Sequence, residues 1–337
     1  MRMGGFRKKG YLIPAVIVSF AFMLAASVAS MLWGASSVSA PDFIAWISGA
    51  EVSPSTENIL LHVRLPRLCA ALLSGAALAI AGTIIQAVLN NPLASPNVIG
   101  INSGAGLAVL LAAVIFPNIG WISPIAAFLG ALATAGIIFS IAMGPDTSKL
   151  TVVLAGIAIT TVFGAGINTI LIVDPDAYVN SATFLVGGLG GVLLKDLVWP
   201  AAYIAFGAAI ALLSGTRLNI MALGDDVAHG LGLNVTISRF VLLGLAALLA
   251  GAAVSFAGLL SFVGLIVPHL VRFFVGNDNR RVIPVAALVG AGFVTACDLL
   301  ARVLFAPYEV PVGILMAFLG GPFFIYLILT SRKHGLE

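Results

Sequence analysis

Charged residues are scarce in this sequence. Only 9% of the 337 residues are Asp, Glu, Lys or Arg, and 61% are hydrophobic, whereas a soluble domain has about 25% charged residues. The mean hydropathy of +1.14 leaves no stretch for a sizeable water-soluble domain. We therefore predict an all-α polytopic membrane protein that forms one domain over residues 1–337. The net charge of +3 does not indicate nucleic-acid binding.

Cysteines and catalytic motifs are also sparse. The two cysteines, Cys69 and Cys297, lie in apolar runs, where a free thiol behaves as a small hydrophobic group. The HExxH, GxSxG and Walker A patterns are missing, and the apolar runs contain no cluster of His, Cys, Asp or Glu at metal-ligand spacing. We therefore predict a chain that is not an enzyme and binds no metal or cofactor. If ATP drives its function, the nucleotide binds to another chain.

The apolar runs define about ten membrane spans. The first, 11–33, follows a basic cluster as a secretory signal would, but its length of about 23 residues exceeds the 7–15 of a signal core. The uncharged stretch 240–268 is too long for one crossing, so we predict a hairpin near Gly258. The other nine approximate spans are 65–89, 97–116, 121–143, 150–173, 196–214, 239–257, 259–276, 282–305 and 311–330.

The distribution of positive charge predicts the orientation in the membrane. With ten spans both termini lie on one side, and placing them in the cytoplasm puts twelve of the sixteen Lys and Arg residues inside. Cytoplasmic loops are enriched in these residues. We predict a multi-pass protein of the cell membrane, inner or plasma, with both termini in the cytoplasm.

Two segments of the chain resemble each other. ALLSGAALAIAG at 71–82 and ALLAGAAVSFAG at 247–258 match at eight of twelve positions. An offset of five spans, an odd number, makes the two halves antiparallel, as in many transporters. We predict an inverted repeat with halves of approximately 60–175 and 236–331. Glycines recur every seven residues, at Gly75 and Gly82 and at Gly244, Gly251 and Gly258. This spacing would let helix backbones approach closely in lipid.

Three arginines are predicted to lie on the extracytoplasmic side, where the positive-inside rule predicts few basic residues. Arg64 and Arg67 lie at the start of the second span, and Arg302 lies near the end of the ninth. Guanidinium groups form bidentate pairs with carboxylates, so these residues could bind an acidic partner. Alternatively, they reach the membrane interface, or Arg302 pairs with Asp298 four residues earlier. Residue chemistry leaves both interpretations open.

The chain resembles the FecCD family, the permease subunits of type II ABC importers for iron-siderophores, haem and cobalamin. Six strings carry the resemblance: RLPR at 64–67, GAALAIAGTIIQAVLNNPLASPNVIG at 75–100, LGDDVAHGLG at 223–232, FVGLIVPHLVR at 262–272, DLLAR at 298–302 and EVPVGILMAFLGGPFFIYLI at 309–328. The resemblance implies the permease fold of these importers. It also implies separate ATPase subunits that bind ATP and magnesium, a second permease copy or sister permease, and an extracytoplasmic substrate-binding protein.

The resemblance also implies residue roles. Arg64, Arg67 and Arg302 would receive glutamates of the binding protein, and Asn91, Leu93 and Ser148 match the region of the cytoplasmic gate. An ordinary helix-ending turn would also account for Asn91. The loop 215–238 would form the coupling helices that contact the ATPase. Its central residues are Leu223, Gly224, Asp225, Asp226, Val227, Ala228, His229, Gly230, Leu231 and Gly232.

The polar residues within the spans are uncharged. They are Gln86, Asn102, Ser103, Thr160, Thr161 and Asn168. Such a lining suits a large chelate better than a bare metal ion, although each residue could equally serve helix packing. We predict import of a ferric siderophore by alternating access, with haem or cobalamin as alternatives and a homodimer as the favoured assembly. An ion-coupled secondary transporter or a membrane-embedded enzyme is a weaker alternative.

Overall fold

The computed structural model describes residues 12–34, 38–97, 99–117, 119, 121–141 and 149–333, and within these ranges the regular structure is entirely helical. The α-helices are, in order, α1 Leu12–Leu32, α2 Ala40–Ile47, α3 Pro54–Asn58, α4 Leu65–Leu89, α5 Ile101–Ile115, α6 Ile122–Ile141, α7 Lys149–Val173, α8 Pro175–Val186, α9 Leu194–Leu213, α10 Gly215–Met221, α11 Asp225–Gly230, α12 Val235–Ala257, α13 Val263–Val275, α14 Asn279–Val303 and α15 Val312–Lys333. A π-helical stretch, Ile59–Arg64, joins α3 to α4 without a break.

Each of the ten predicted spans coincides with one helix: α1, α4, α5, α6, α7, α9, α12, α13, α14 and α15. Among the described residues, seven helices are long and apolar enough to cross a membrane. Three shorter apolar segments, of 10–17 residues each, belong to α5, α13 and α15. The all-α multi-span fold is therefore confirmed.

Two helices begin later than the sequence predicted. The predicted break is present, because α12 ends at Ala257 and Gly258 has a φ of 69°. However, α13 begins at Val263 rather than at 259, and α5 begins at Ile101 rather than at 97. At 13 and 15 residues these helices are about 20 and 22 Å long, shorter than the ~30 Å hydrocarbon core. Neither helix alone spans the core.

Sequence analysis missed helix α8. Its local signals are clear, because the Asp174 side chain accepts a hydrogen bond from the Ala177 N–H and Pro175 occupies the first turn. These are the residues that commonly start a helix. The 12 residues of α8 are too few and too polar to stand out as a membrane span. Hydropathy alone could not detect this helix.

Helices α4, α12 and α14 form the centre of the bundle. Helix α4 packs against α12, α13 and α14, and α12 also packs against α6 and α9. Three of the predicted glycines lie against backbone: Gly75 against Gly290, Gly82 against Gly264 and Gly258 against Phe184, and an added Cβ at each would overlap the facing carbonyl oxygen. Gly244, by contrast, has open space beside it. Close backbone approach is thus present at some of the predicted glycines but not at all of them.

Candidate functional site

Three interruptions of the helical chain meet in the bundle. The Leu259 N–H donates to the Phe184 carbonyl oxygen at 2.9 Å, and the Gly188 N–H donates to the Ala257 oxygen at 3.1 Å. The Gly313 N–H, at the start of α15, donates to the Gly187 oxygen at 3.0 Å. The end of α8, the break after α12 and the start of α15 are therefore joined by main-chain hydrogen bonds.

Glycines make this junction possible. Gly258 and Gly187 both have positive φ, at 69° and 87°, in the region that L side chains rarely adopt. A Cβ at Gly258 would overlap the Phe184 carbonyl oxygen, and one at Gly313 would overlap the carbonyl oxygen of Val186. The two approaches require residues without side chains, so the local sequence fixes where the three interruptions meet.

A cavity of about 690 Å³ opens beside this junction. Helices α5, α7, α8 and α15 and the break after α12 line it, and their contributions include Leu185, Leu259, Ile314 and Phe318. The polar lining residues are Asn97, Asn102, Ser103, Thr160 and Ser261. None of the described residues that line it is ionisable. The cavity is large, mostly apolar and neutral, as in many small-molecule sites.

Half of the predicted path residues come together here. Asn102, Ser103 and Thr160 all line the cavity, and Ser103 and Thr160 have hydroxyl oxygens 3.4 Å apart. The Asn102 amide donates to the Leu260 carbonyl oxygen at 3.3 Å, which ties α5 to the break after α12. The role of these three residues in a translocation path stays a prediction.

The other three path residues lie elsewhere. Gln86 is buried and donates to the Gly264 carbonyl oxygen at 3.3 Å, between α4 and α13. Thr161 and Asn168 are exposed on α7, and the Thr161 hydroxyl donates to the Ile157 oxygen of its own helix. Gln86 therefore has the helix-packing role that was the alternative for each of these residues.

Two lining residues were missed in the sequence. The Asn97 amide donates to the Ser261 hydroxyl oxygen at 3.2 Å, across a separation of 164 residues. Asn97 belongs to the turn before α5, and Ser261 belongs to the break after α12. Both positions fell inside predicted spans, and only the late starts of α5 and α13 turn them into loop residues beside the cavity.

The three predicted docking arginines lie together and are buried. Arg64, Arg67 and Arg302 are 3%, 7% and 4% exposed. The Arg67 Nε donates to both carboxylate oxygens of Asp298, at 2.9 and 3.1 Å, and the Arg302 Nε donates to the same carboxylate at 3.1 Å. The Arg302–Asp298 pair that the four-residue spacing allowed is present, whereas the docking role stays a prediction.

Further contacts connect these arginines to α1 and to the segment before α15. Arg302 donates to the Ser30 hydroxyl at 2.7 Å and to the Trp33 carbonyl oxygen at 3.2 Å, and Arg64 donates to the Met31 carbonyl oxygen. Arg67 also donates to Glu309 at 2.5 Å. We call the set Arg64, Arg67, Asp298, Arg302 and Glu309 the arginine cluster. It joins α1, α4 and α14.

A second polar cluster lies at the opposite end of α14. Asp278, the N-cap of α14, accepts hydrogen bonds from Asn219 of α10 at 2.7 Å and from the Arg280 guanidinium at 2.9 and 3.0 Å. The hydrogen bonds from Arg280 lower the pKa of Asp278 to about 2, against the opposing effect of partial burial, and Asn219 contributes further. We call Asn219, Asp278 and Arg280 the aspartate cluster.

The predicted coupling segment contains helices. Within 215–238 the chain forms α10 and α11 before α12 begins. Asp225, at the start of α11, pairs with Arg239 of α12 at 2.6 Å. Leu223, Val227 and Leu231 are exposed apolar residues in this segment. The segment is therefore folded onto the bundle while keeping an apolar surface free of other described residues.

The predicted gate region is partly described. The Asn91 side-chain oxygen accepts a hydrogen bond from the Leu93 N–H at 2.9 Å, which closes a turn after α4. Such a local turn is the alternative that the sequence left open. Ser148 lies outside the described residues. The role of this region in gating stays a prediction.

The described part of the chain holds no group of three or more His, Cys, Asp or Glu residues that could bind a metal ion. Cys69 and Cys297 are free thiols. The bundle of apolar helices, the interrupted chain at the neutral cavity and the polar clusters at the two ends of α14 together define a multi-pass membrane permease.

The model of the FecCD transport family matches residues 22–330. Hemin transport system permease protein HmuU of Yersinia pestis is 40% identical over 283 residues, covering 82% of this chain and 85% of that protein. Fe(3+)-citrate import system permease protein YfmE of Bacillus subtilis is 35% identical over 330 residues, covering 97% and 98%. This chain therefore belongs to the FecCD transport family.

A solved structure of a metal-chelate type ABC transporter in an inward-facing conformation has a similar fold. The TM-score is 0.84 at 26% sequence identity, covering 94% of this chain and 99% of that chain. This chain is thus an ABC permease of the cell membrane, which works in a complex with an ATPase and permease copies. It is not an enzyme and has no cofactor, since the partner ATPase binds ATP. The secondary-transporter and membrane-enzyme alternatives are thereby excluded.

Proposed function

We propose that this chain imports a metal chelate, and specifically a ferric siderophore, through the cavity beside the α8, α12 and α15 junction. The main support is the cavity lining: the cavity has a volume of about 690 Å³, and the described residues that line it include no ionisable group. A bare transition-metal ion would need imidazole, thiolate or carboxylate ligands, whereas a chelate brings its own. Weak hydroxyl and amide contacts let such a ligand pass without being held tightly.

Alternating access through this cavity requires the surrounding helices to move. Helices α5 and α13 are short, and the chain before each is irregular where it adjoins the cavity. Interrupted helices of this kind commonly line transporter sites. In the proposed cycle, ATP closes the partner ATPases, and their motion shifts the two permease copies relative to each other.

The proposed contacts with the ATPase and the binding protein are those predicted from the sequence. Residues 223–232 would contact the ATPase, and the exposed Leu223, Val227 and Leu231 support this role because apolar groups there have no described partner. Arg64, Arg67 and Arg302 would bind carboxylates of an extracytoplasmic binding protein. This orientation places both chain termini in the cytoplasm, with Asn91, Leu93 and Ser148 at the cytoplasmic gate.

The repeat and the permease dimer are also proposals. The predicted inverted repeat pairs α4 with α12 and α6 with α14, and the packing of α4 on α14 has a counterpart in that of α12 on α6. For the dimer, α7 supports a second copy, because only 11% of its most apolar 18-residue segment is buried. Its exposed face carries Thr161, Asn168 and Thr169, and a face with polar groups suits a protein partner better than lipid.

Transport by the reconstituted complex tests the substrate. The permease, the ATPase that co-purifies with it and the co-purifying binding protein are placed in liposomes and supplied with ⁵⁵Fe-hydroxamate, ⁵⁵Fe-catecholate, ⁵⁵Fe-citrate, haemin or cobalamin. We expect ATP-dependent accumulation of a ferric siderophore. Accumulation of haemin or cobalamin instead would contradict the siderophore assignment, and uptake of ferric ion without a chelator would contradict the chelate proposal itself.

Two neighbouring threonines of α7 provide a cavity variant and its matched control. Thr160→Phe fills the cavity beside Ser103, whereas Thr161→Phe places the same side chain on the neighbouring exposed position. If the cavity forms the path, Thr160→Phe blocks uptake more strongly than Thr161→Phe while leaving assembly with the ATPase intact. Equal effects of the two variants would place the path elsewhere or locate the damage in the α7 surface.

A further inference from the structure

Glu309 lies between Arg67 and the solvent. It belongs to the segment 304–311, which connects α14 to α15. The Glu309 carboxylate is 2.5 Å from the Arg67 guanidinium, and its side chain is 44% exposed while that of Arg67 is only 9% exposed. A carboxylate that approaches from solvent therefore meets Glu309 before it can reach Arg67.

The two acidic members of the arginine cluster differ in how firmly they are held. Asp298 is 1% exposed and pairs with both Arg67 and Arg302, so its removal would leave buried charges unpaired. Glu309 is half exposed, and within the described chain it pairs with Arg67. A solvated carboxylate gains less free energy from its ion pair than a buried one does, so it is exchanged more easily. Glu309 is therefore the replaceable acid of the cluster.

Glu309 supplies one of the two carboxylates that pair with Arg67. Asp298 supplies the other and also pairs with Arg302. If Glu309 leaves Arg67, the remaining set has three positive charges and one negative charge. An incoming carboxylate then restores the pairing that Glu309 provided.

We infer that Glu309 is an internal substitute for the carboxylate of the binding protein, and that docking exchanges one for the other on Arg67. The inference rests on the proposed docking role of Arg67. Exchange releases the segment 304–311, which leads directly into α15, and the first turn of α15 contributes Gly313 and Ile314 to the cavity lining. Docking is thereby linked to the cavity through one ion pair.

The affinity of the binding protein for the complex in nanodiscs tests the exchange. Glu309→Gln removes the internal competitor, so binding should tighten by about two- to fivefold, the factor that a partly exposed ion pair supplies. Glu51→Gln is the matched control, because Glu51 is an exposed acid in the segment between α2 and α3. Its affinity should equal that of the unmodified protein. Unchanged or weaker binding by the Glu309→Gln variant would overturn the inference.

A double variant separates the exchange from docking itself. Arg67→Gln should weaken binding, and Glu309→Gln should then add nothing, because the two groups act through one contact. If Arg67→Gln leaves binding unchanged, Arg67 has no docking role and the proposed function is wrong at this residue. If Arg67→Gln weakens binding but Glu309→Gln has no effect in either background, docking stands and the exchange is wrong. A single monodisperse peak in size-exclusion chromatography establishes that each variant folds.

Discussion

Helix α14 has an ion cluster at each end, and the two clusters differ in burial. At its C-terminal end, Asp298 is 1% exposed and pairs with Arg67 and Arg302, which are also buried. At its N-terminal end, Asp278 is 24% exposed and its partner Arg280 is 63% exposed. The Asp298 ion pairs of the arginine cluster are buried in protein, and its exposed member is Glu309. The aspartate cluster is in contact with water.

The difference determines what each cluster contributes. If one charge is removed from a buried ion pair, the other stays buried with neither a partner nor solvent. The free energy cost of such a removal is therefore large. Charges at a surface are solvated in either case, so their pairing adds little free energy. We therefore expect the arginine cluster to hold α1, α4 and α14 together, and the aspartate cluster to fix the start of α14 and its contact with α10.

The largest effect is expected for Asp298→Ala. It removes the carboxylate shared by Arg67 and Arg302, and it should lower the free energy of unfolding by about 3–5 kcal/mol. Unfolding of the permease in mixed micelles with increasing SDS, followed by tryptophan fluorescence, measures the change. Asp176→Ala, an exposed acid in the first turn of α8, is the control. Equal losses for both variants would show that burial does not distinguish these positions.

The arginine cluster also shows where sequence reasoning reached its limit. The Arg302–Asp298 pair was foreseen, because four residues along a helix bring two side chains together. The pairs of Arg67 with Asp298 and Glu309 join residues 231 and 242 positions apart, and no local spacing contains that information. Sequence reasoning found the three arginines and Asp298, but not Glu309 or the long-range pairs of Arg67.

The cavity shows a similar limit in the prediction of helix boundaries. Hydropathy located the ten helices that coincide with the predicted spans, and the break at Gly258 followed from the length of an uncharged stretch. It could not locate the starts of α5 and α13, because the apolar residues just before each helix continue the hydropathy signal of the helix. These residues are Ile99 before α5, and Leu259, Leu260 and Phe262 before α13. Asn102, Ser103 and Thr160 were therefore predicted to line a path, while Asn97 and Ser261 were not.

A smaller loss is expected when Arg302 is replaced by lysine. The ammonium group keeps the charge near Asp298, but it cannot also bind Ser30 and the Trp33 carbonyl oxygen, which Arg302 reaches through separate nitrogens. Loss of these buried hydrogen bonds should cost about 1–3 kcal/mol and accelerate hydrogen exchange at the end of α1. Arg280→Lys makes the same replacement at the solvated end and should leave both measurements nearly unchanged. A comparable loss for Arg280→Lys would remove the contrast between the two ends.

A still smaller effect is expected for Asp278→Ala. Asp278 is the N-cap of α14, and its side chain accepts a hydrogen bond from the Arg280 N–H at 3.1 Å. Loss of an N-cap costs about 0.5–2 kcal/mol. Asp278→Asn is the control, because asparagine is an equally good cap but has no charge. If the asparagine variant unfolds as readily as the alanine variant, the ion pair rather than the cap holds the helix start.

The smallest expected effect is a pH dependence confined to acid. The pKa of Asp278 is lowered to about 2, whereas an aspartate in an unfolded chain has a pKa near 3.9. Between these values the unfolded chain binds the proton more readily, so the contribution of Asp278 to stability is complete above about pH 4 and is lost as the pH falls through about 2. The difference in melting temperature between the unmodified protein and Asp278→Asn, measured from pH 5 to pH 2, should be constant at the upper end and shrink toward the lower end. A difference that stays constant down to pH 2 would mean that Asp278 has the same pKa in both states, and would leave its hydrogen bonds with Arg280 without energetic consequence.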